Sequence, residues 1–289
     1  MRFNKYIFIL ILIIIIVAST LYSAKKYLNP SLFEKKALFS WSSNVITQEK
    51  EELFSVMKEA KLNTLFQSIS TTEDINYDEF LTSAKNQNIK IYALTGTPEW
   101  ALSEDGESMI KRVEFIAKIN EHLPDDTKIK GIVMDVEPYL LDGFEENRKE
   151  IMKKFISAIS KTYEIAKKYD LELVVCIPYY YDHWNLESEL EEIIINSDTI
   201  AIMNYYREKE IEHMEYEAVL SRKHNKEVMT IYELQEPGLY GLTERNSYYG
   251  MSIENVYESF EEIKSYYSDQ KVSVAFHEYE FLKELLENE

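Results

Sequence analysis

Beyond residue 36 the chain alternates short apolar runs with longer segments in which apolar residues recur among charges. Short runs rich in Val, Ile, Phe and Tyr predict buried strands, and apolar positions three and four apart predict amphipathic helices. Eight runs carry the strand pattern: Ala37 to Ser40, Thr64 to Ser68, Lys90 to Leu94, Gly131 to Met134, Glu172 to Ile177, Thr199 to Met203, Val228 to Ile231 and Val272 to Phe276. Helical segments such as Lys50 to Ala60, Glu145 to Lys168 and Ile253 to Tyr267 lie between them. Strand and helix in strict alternation predict an α/β chain with a parallel sheet. An open doubly wound sheet shares that alternation, and the count of eight favours closure into a (β/α)8 TIM barrel over residues 37–289.

Pro98, Pro138, Pro178 and Pro237 fall just beyond the third, fourth, fifth and seventh predicted strands. Proline cannot continue a central strand, so these positions mark strand ends. Gly96, Gly238 and Gly241 occupy the same loops, where turns call for backbone angles that glycine tolerates. In a parallel barrel these loops share one face, and that face holds the chemistry in barrel enzymes.

The N-terminus has a different pattern. Arg2 and Lys5 precede an apolar stretch from Tyr6 to Tyr22, which predicts a membrane anchor helix over residues 1–23 and a linker over 24–36. Tyr22-Ser23-Ala24 is a poor cleavage site, because its third position back is bulky. The expectation is a single-pass anchor with the barrel outside the cytoplasm; secretion after signal cleavage is the alternative. Absence of a cysteine just after the apolar run excludes a lipoprotein anchor.

With 51 acidic against 32 basic residues the formal charge is -19. Such a chain repels polyanions, which argues against nucleic acid as a partner and favours a neutral or cationic ligand. The single cysteine, Cys176, lies in an apolar run, so no disulfide or cysteine-rich metal site forms and a small core residue is expected. A monomer is expected.

Candidate chemistry concentrates at predicted strand ends. Asp135 and Glu137 follow the fourth strand two residues apart, so alternation turns both carboxyl groups to the same side. Two carboxylates in one confined site push their pKa values apart and leave one available as an acid near neutral pH, which acetal cleavage needs. Glu233 and Glu236 stand near the end of the seventh strand, and His277 and Glu278 near the end of the eighth. Trp41, Trp100, Tyr139, Tyr179, Tyr181, Tyr205 and Tyr232 gather at the same ends, joined by Tyr180, Trp184, Tyr206 and Tyr240. Such rings stack on the C–H faces of sugars, and about half are expected to line a cleft, the others filling the barrel top. No metal or cofactor is expected, since the sequence lacks His-x-x-x-His spacing and a Gly-rich phosphate loop. Ser40, Ser42 and Ser43 lack the Gly-x-Ser-x-Gly turn of a serine nucleophile.

Gly131, Asp135 and Glu137 resemble the fourth strand of the chitinase-like barrels of glycoside hydrolase family eighteen, which ends in Asp-x-Glu. The segment Ile200 to Tyr205 is similar to that family's Met-x-Tyr strand. The resemblance implies Glu137 as proton donor, Asp135 as the group orienting a substrate N-acetyl group that attacks the anomeric carbon, and Tyr205 as a contact to the acetamido oxygen. Asn204 stands where many members carry Asp. Two earlier acidic positions of the pattern hold Lys130 and Val133, which motivates an alternative, a carbohydrate-binding barrel without catalysis. Val136-Glu137-Pro138 also resembles the Asn-Glu-Pro of retaining clan A glycosidases. That likeness implies a third scheme, with Glu137 as acid and Glu233 as nucleophile if their carboxyl groups lie about 5 to 5.5 Å apart.

Overall fold

A computed structural model describes residues 34–71 and 75–289 of the chain. The predicted anchor over 1–23 lies outside the described residues, as does the linker up to residue 33. Among the described residues no helix is long and apolar enough to cross a membrane.

Eight parallel strands close into a barrel in sequence order. They are β1 (Lys36–Ser40), β2 (Thr64–Ser68), β3 (Lys90–Thr95), β4 (Gly131–Met134), β5 (Glu172–Pro178), β6 (Thr199–Met203), β7 (Glu227–Glu233) and β8 (Val272–His277). Closure is made by β1 against β8, with Ala37 opposite Ala275 and Leu38 opposite Phe276. A helix follows each strand: α1 (Lys50–Glu59), α2 (Tyr77–Asn86), α3 (Glu107–Asn120), α4 (Phe144–Lys168), α5 (Glu187–Ile195), α6 (Glu215–Lys223), α7 (Ile253–Tyr266) and α8 (Tyr279–Glu287). The predicted strands sit where the apolar runs placed them, with ends shifted by at most two residues.

Strand alternation divides the core in two. Phe39, Phe66, Leu94, Val133, Val174, Cys176, Ala201, Met203, Met229, Ile231 and Ala275 fill the barrel interior. Their neighbours, such as Leu38, Leu65, Ile132, Met134, Val175, Ile202 and Phe276, pack outward against the helices. Both faces of each strand are therefore buried, which is why the strands read as continuous apolar runs.

The bottom of the barrel is closed by charge. Lys35 Nζ lies 2.7 Å from Glu227 and 3.1 Å from Glu172, and Lys271 lies 2.6 Å from Glu227. The Tyr92 hydroxyl donates to Glu172 at 2.8 Å. Gly131 makes room for that ring, since a Cβ there would lie 2.8 Å from Tyr92. Burial opposes the charge on Lys35, but Glu227 and Glu172 outweigh it and hold the ammonium above its ordinary pKa. The linker therefore ends earlier than expected. Lys35 is a buried ion-pair member and Lys36 the first residue of β1.

Candidate active site

At the opposite, C-terminal mouth, parity decides which side chains meet. On β4, Ile132, Met134 and Val136 face the helices, and Val133 faces the interior, so Asp135 and Glu137 extend the inward row. The strand ends closely against β3: Asp135 N–H donates to the Thr95 carbonyl at 2.9 Å. A Cβ on Gly96 would stand 1.9 Å from the Asp135 carbonyl oxygen. Gly96 is thus required by close approach of two backbones rather than by an unusual turn, whereas Gly238 and Gly241 do take positive φ angles of 101° and 79°.

Around this pair, inward positions of other strands supply Cys176 from β5, Tyr205 after β6, Glu233 from β7 and His277 from β8. Cys176 is buried in the barrel interior, and burial, with the charges of Asp135 and Glu137, pushes its thiol well above the ordinary value. Burial pushes the Asp135 carboxyl up, opposed by His277 and by that thiol. Burial, and then the charge of Asp135, push Glu137 up to about 8, again opposed by His277. The Tyr139 hydroxyl donates to the Glu137 carboxyl and lies 3.9 Å from Met203 Sδ. Burial raises the Tyr205 hydroxyl well above its ordinary pKa, and the charges of Glu233, Asp135 and Glu137 add to the rise.

Glu233 is 3% exposed, and its oxygens are engaged. Oε1 accepts the backbone N–H groups of Leu234 and Gln235 at 2.9 and 2.8 Å, and Oε2 lies 3.0 Å from His277 Nδ1. A nucleophile needs an oxygen directed at the sugar, so this geometry speaks for a held partner of His277 and against the third scheme. Trp41, after β1, donates its indole N–H to His277 Nε2 at 3.4 Å. Glu278 is half-buried beside them, pushed up by burial against the opposing charge of His277.

Several expected contacts lie elsewhere. Tyr232 is 0% exposed and faces the helices, its hydroxyl 2.9 Å from Ser259 on α7. Asn204 also turns outward: its Nδ2 donates to the Glu210 carbonyl at 2.9 Å, and the side chain is buried. Tyr181 is 1% exposed and belongs to the helix-side core, so it supports the site from behind. Trp100 sits in the 3-10 turn Pro98–Leu102 against that same core. Glu236 is exposed at the rim, with no part in the cluster.

An aromatic wall rises from the β5 loop. Tyr180 packs 4.4 Å from Trp184 and 5.2 Å from Tyr179 between ring centroids, and Tyr139 meets Tyr180 edge-on at 5.9 Å. Tyr179 stacks on His213 at 4.0 Å with 5° between planes. Tyr240, by contrast, is 91% exposed and isolated. Among the described residues no group of three His, Cys, Asp or Glu side chains is arranged to hold a metal ion. Cys176 is the small buried core residue that its apolar run predicts, on the inward row of β5.

No protein-family model matches the sequence, and no curated protein matches it. Solved structures do match in shape. A chitinase from Bacteroides thetaiotaomicron superposes with a TM-score of 0.56 at 14% identity, covering 86% of this chain and 90% of that one. The PgaB (BpsB) glycoside hydrolase domain from Bordetella bronchiseptica gives 0.55 at 8% identity, with coverages of 86% and 95%. The Bacillus megaterium spore cortex-lytic enzyme SleL gives 0.52 at 11% identity, with coverages of 88% and 72%. At these identities the likeness concerns architecture alone: the chain shares a closed (β/α)8 barrel with these proteins.

Proposed function

We propose that the chain is a glycoside hydrolase acting on an N-acetylhexosamine-containing or related polysaccharide, with Glu137 as general acid. The observation that carries this reading is the inward-facing pair Asp135 and Glu137 at the C-terminal mouth, with the Tyr139 hydroxyl on the Glu137 carboxyl; burial and Asp135 push that carboxyl up to about 8. A carboxyl with that value is protonated at neutral pH and can give its proton to a leaving glycosidic oxygen. The barrel neighbours described as chitinases and glycoside hydrolases support it at the level of fold.

In the substrate-assisted scheme, Glu137 protonates the bridging oxygen as the anomeric C–O bond breaks, and the substrate acetamido oxygen closes on the anomeric carbon. Asp135 accepts the acetamido N–H and Tyr205 donates to its oxygen. Glu137, now a carboxylate, then takes a proton from the water that opens the ring. Tyr139 holds the Glu137 carboxyl in place, and Tyr180 and Trp184 offer ring faces to flanking sugars.

A second reading, a carbohydrate-binding barrel without turnover, is favoured by Val133, whose apolar side chain occupies the interior position behind Asp135. Reducing ends released from purified N-acetylhexosamine polysaccharides separate the two. Turnover that disappears in Glu137→Gln supports hydrolysis; binding without release in the wild type supports the second reading. We further propose that the apolar segment 6–22 tethers the barrel on the outer side of the cell membrane. Protease added to intact cells should then remove the barrel, and full protection would refute that placement.

A further inference from the structure

The hydrogen-bond ladder between β6 and β7 ends at the Asn204 N–H, which donates to the Ile231 carbonyl at 3.2 Å. From there the two chains part. The Leu234 N–H turns to the His277 carbonyl of β8 at 2.8 Å, and the Tyr206 N–H folds back onto the Asn204 carbonyl at 2.9 Å. Tyr205 therefore stands one residue past the last rung, where strand pairing no longer fixes its backbone. Residues 243–249, on the connection from β7 to α7, bond both sides of the opening. Toward β6, Asn246 Nδ2 donates to the Tyr205 carbonyl at 2.6 Å, and the Arg207 N–H donates to the Arg245 carbonyl at 2.8 Å. Toward β7, the Tyr248 N–H donates to the Glu233 carbonyl at 2.8 Å and the Ser247 hydroxyl to the Gln235 carbonyl at 2.6 Å.

The amide of Asn246 is used at both ends. Its Oδ1 accepts the Thr243 N–H at 2.9 Å and the Thr243 hydroxyl at 2.6 Å, and the Asn246 N–H returns to the Thr243 carbonyl at 2.9 Å. A backbone N–H can only donate, so the amide oxygen must face Thr243 and the NH2 group must face Tyr205. We propose that Asn246 is a positioning residue that takes over where the β6–β7 ladder stops and fixes Tyr205 at the barrel mouth, its ring centroid 6.3 Å from that of His277. What the placement serves rests on the hydrolase reading, in which the phenol meets the attacking acetamido oxygen; the geometry does not. Aspartate at 246 would keep an oxygen for Thr243 and set a second acceptor against the Tyr205 carbonyl. That change removes the bond across the opening and spares the turn.

The test compares the full chain with Asn246→Asp and with Asn246→Ala, which adds no charge. Without substrate, hydrogen exchange at the Arg207 amide, whose acceptor is the neighbouring Arg245 carbonyl, should be about fivefold faster or more in both variants, while the amides of the β6–β7 ladder keep their rates. Unchanged exchange at Arg207 in either folded variant overturns the proposal. On a cleaved N-acetylhexosamine polysaccharide, kcat should fall by about tenfold or more and KM should change by less than about threefold, the pattern of an interaction used in the transition state. Tyr205→Phe supplies the reading that a merely structural role would not give. In that background the phenol hydroxyl is already gone, so Asn246→Ala should lower kcat by less than about twofold further. An equal loss with and without the hydroxyl overturns the proposal. A chain whose Arg207 amide responds but which cleaves no glycan would fail the hydrolase reading alone. One that cleaves glycan with kcat indifferent to both Asn246 variants would fail this inference alone.

Discussion

Replacing Glu137 with Gln keeps the side-chain volume and removes an ionisation that burial opposes. In the folded chain the carboxyl titrates at about 8, against 4.5 for an ordinary glutamate. Between those values the native state retains a proton that the unfolded chain has released. Wild-type stability should therefore fall as pH rises through that window, with the loss complete above the folded value. A difference of about 3.5 pH units corresponds to at most about 5 kcal/mol. Glu137 keeps some access to solvent and shares its repulsion with Asp135, so a realised effect of about 2–3 kcal/mol is expected. Urea unfolding of the full-length protein at about pH 5, 7 and 9 reads it directly. Glu137→Gln should gain on the wild type between pH 5 and 9 by that amount. A stability difference that stays constant across pH would refute the claim that Glu137 is protonated in the native site.

Three other perturbations probe the frame and the site. Lys35→Met removes the cation that bridges Glu172 and Glu227 at the barrel bottom. With Lys271 still 2.6 Å from Glu227, it should cost about 2–4 kcal/mol in urea unfolding at neutral pH; a change under about 0.5 kcal/mol would contradict a structural role. Tyr232→Phe removes the hydroxyl that meets Ser259 and should cost about 1 kcal/mol while leaving glycan turnover unchanged. Tyr139→Phe frees the Glu137 carboxyl and should lower turnover. The reverse ranking in an activity assay would place the site on the wrong side of β7.

The barrel was legible because its strands are buried on both faces, which writes each as a compact apolar run, and because proline ends four of them. The carboxylate pair was legible for a related reason: spacing of two keeps Asp135 and Glu137 on one side. The same parity argument, carried on to β6 and β7, separates Asn204 and Tyr232 from Tyr205 and Glu233, since neighbouring residues face opposite ways. Proximity to a strand end alone does not separate them, which is why Asn204 and Tyr232 stand outside the cluster that their positions in the chain suggest. Tyr181 illustrates a different limit, because residues beyond a strand follow loop geometry, where alternation no longer applies. The ion network of Lys35, Glu172, Glu227 and Lys271 was invisible for lack of any local pattern. Its members are separated by most of the chain and meet only when β1 closes on β8. From its place at a strand end Glu233 reads as a nucleophile, and only the backbone turn that points Leu234 and Gln235 N–H groups at it reveals a held carboxylate.

The central claim is that Glu137 donates the proton to the leaving oxygen, and the pH profile of kcat/KM on a cleaved N-acetylhexosamine polysaccharide tests it most directly. The wild type should lose activity as pH rises through about 8, where Glu137 gives up its proton. Glu137→Gln should lower activity by about 100-fold or more and abolish that basic limb. A basic limb that persists in Glu137→Gln, or a wild-type profile flat from pH 6 to 10, would contradict the account.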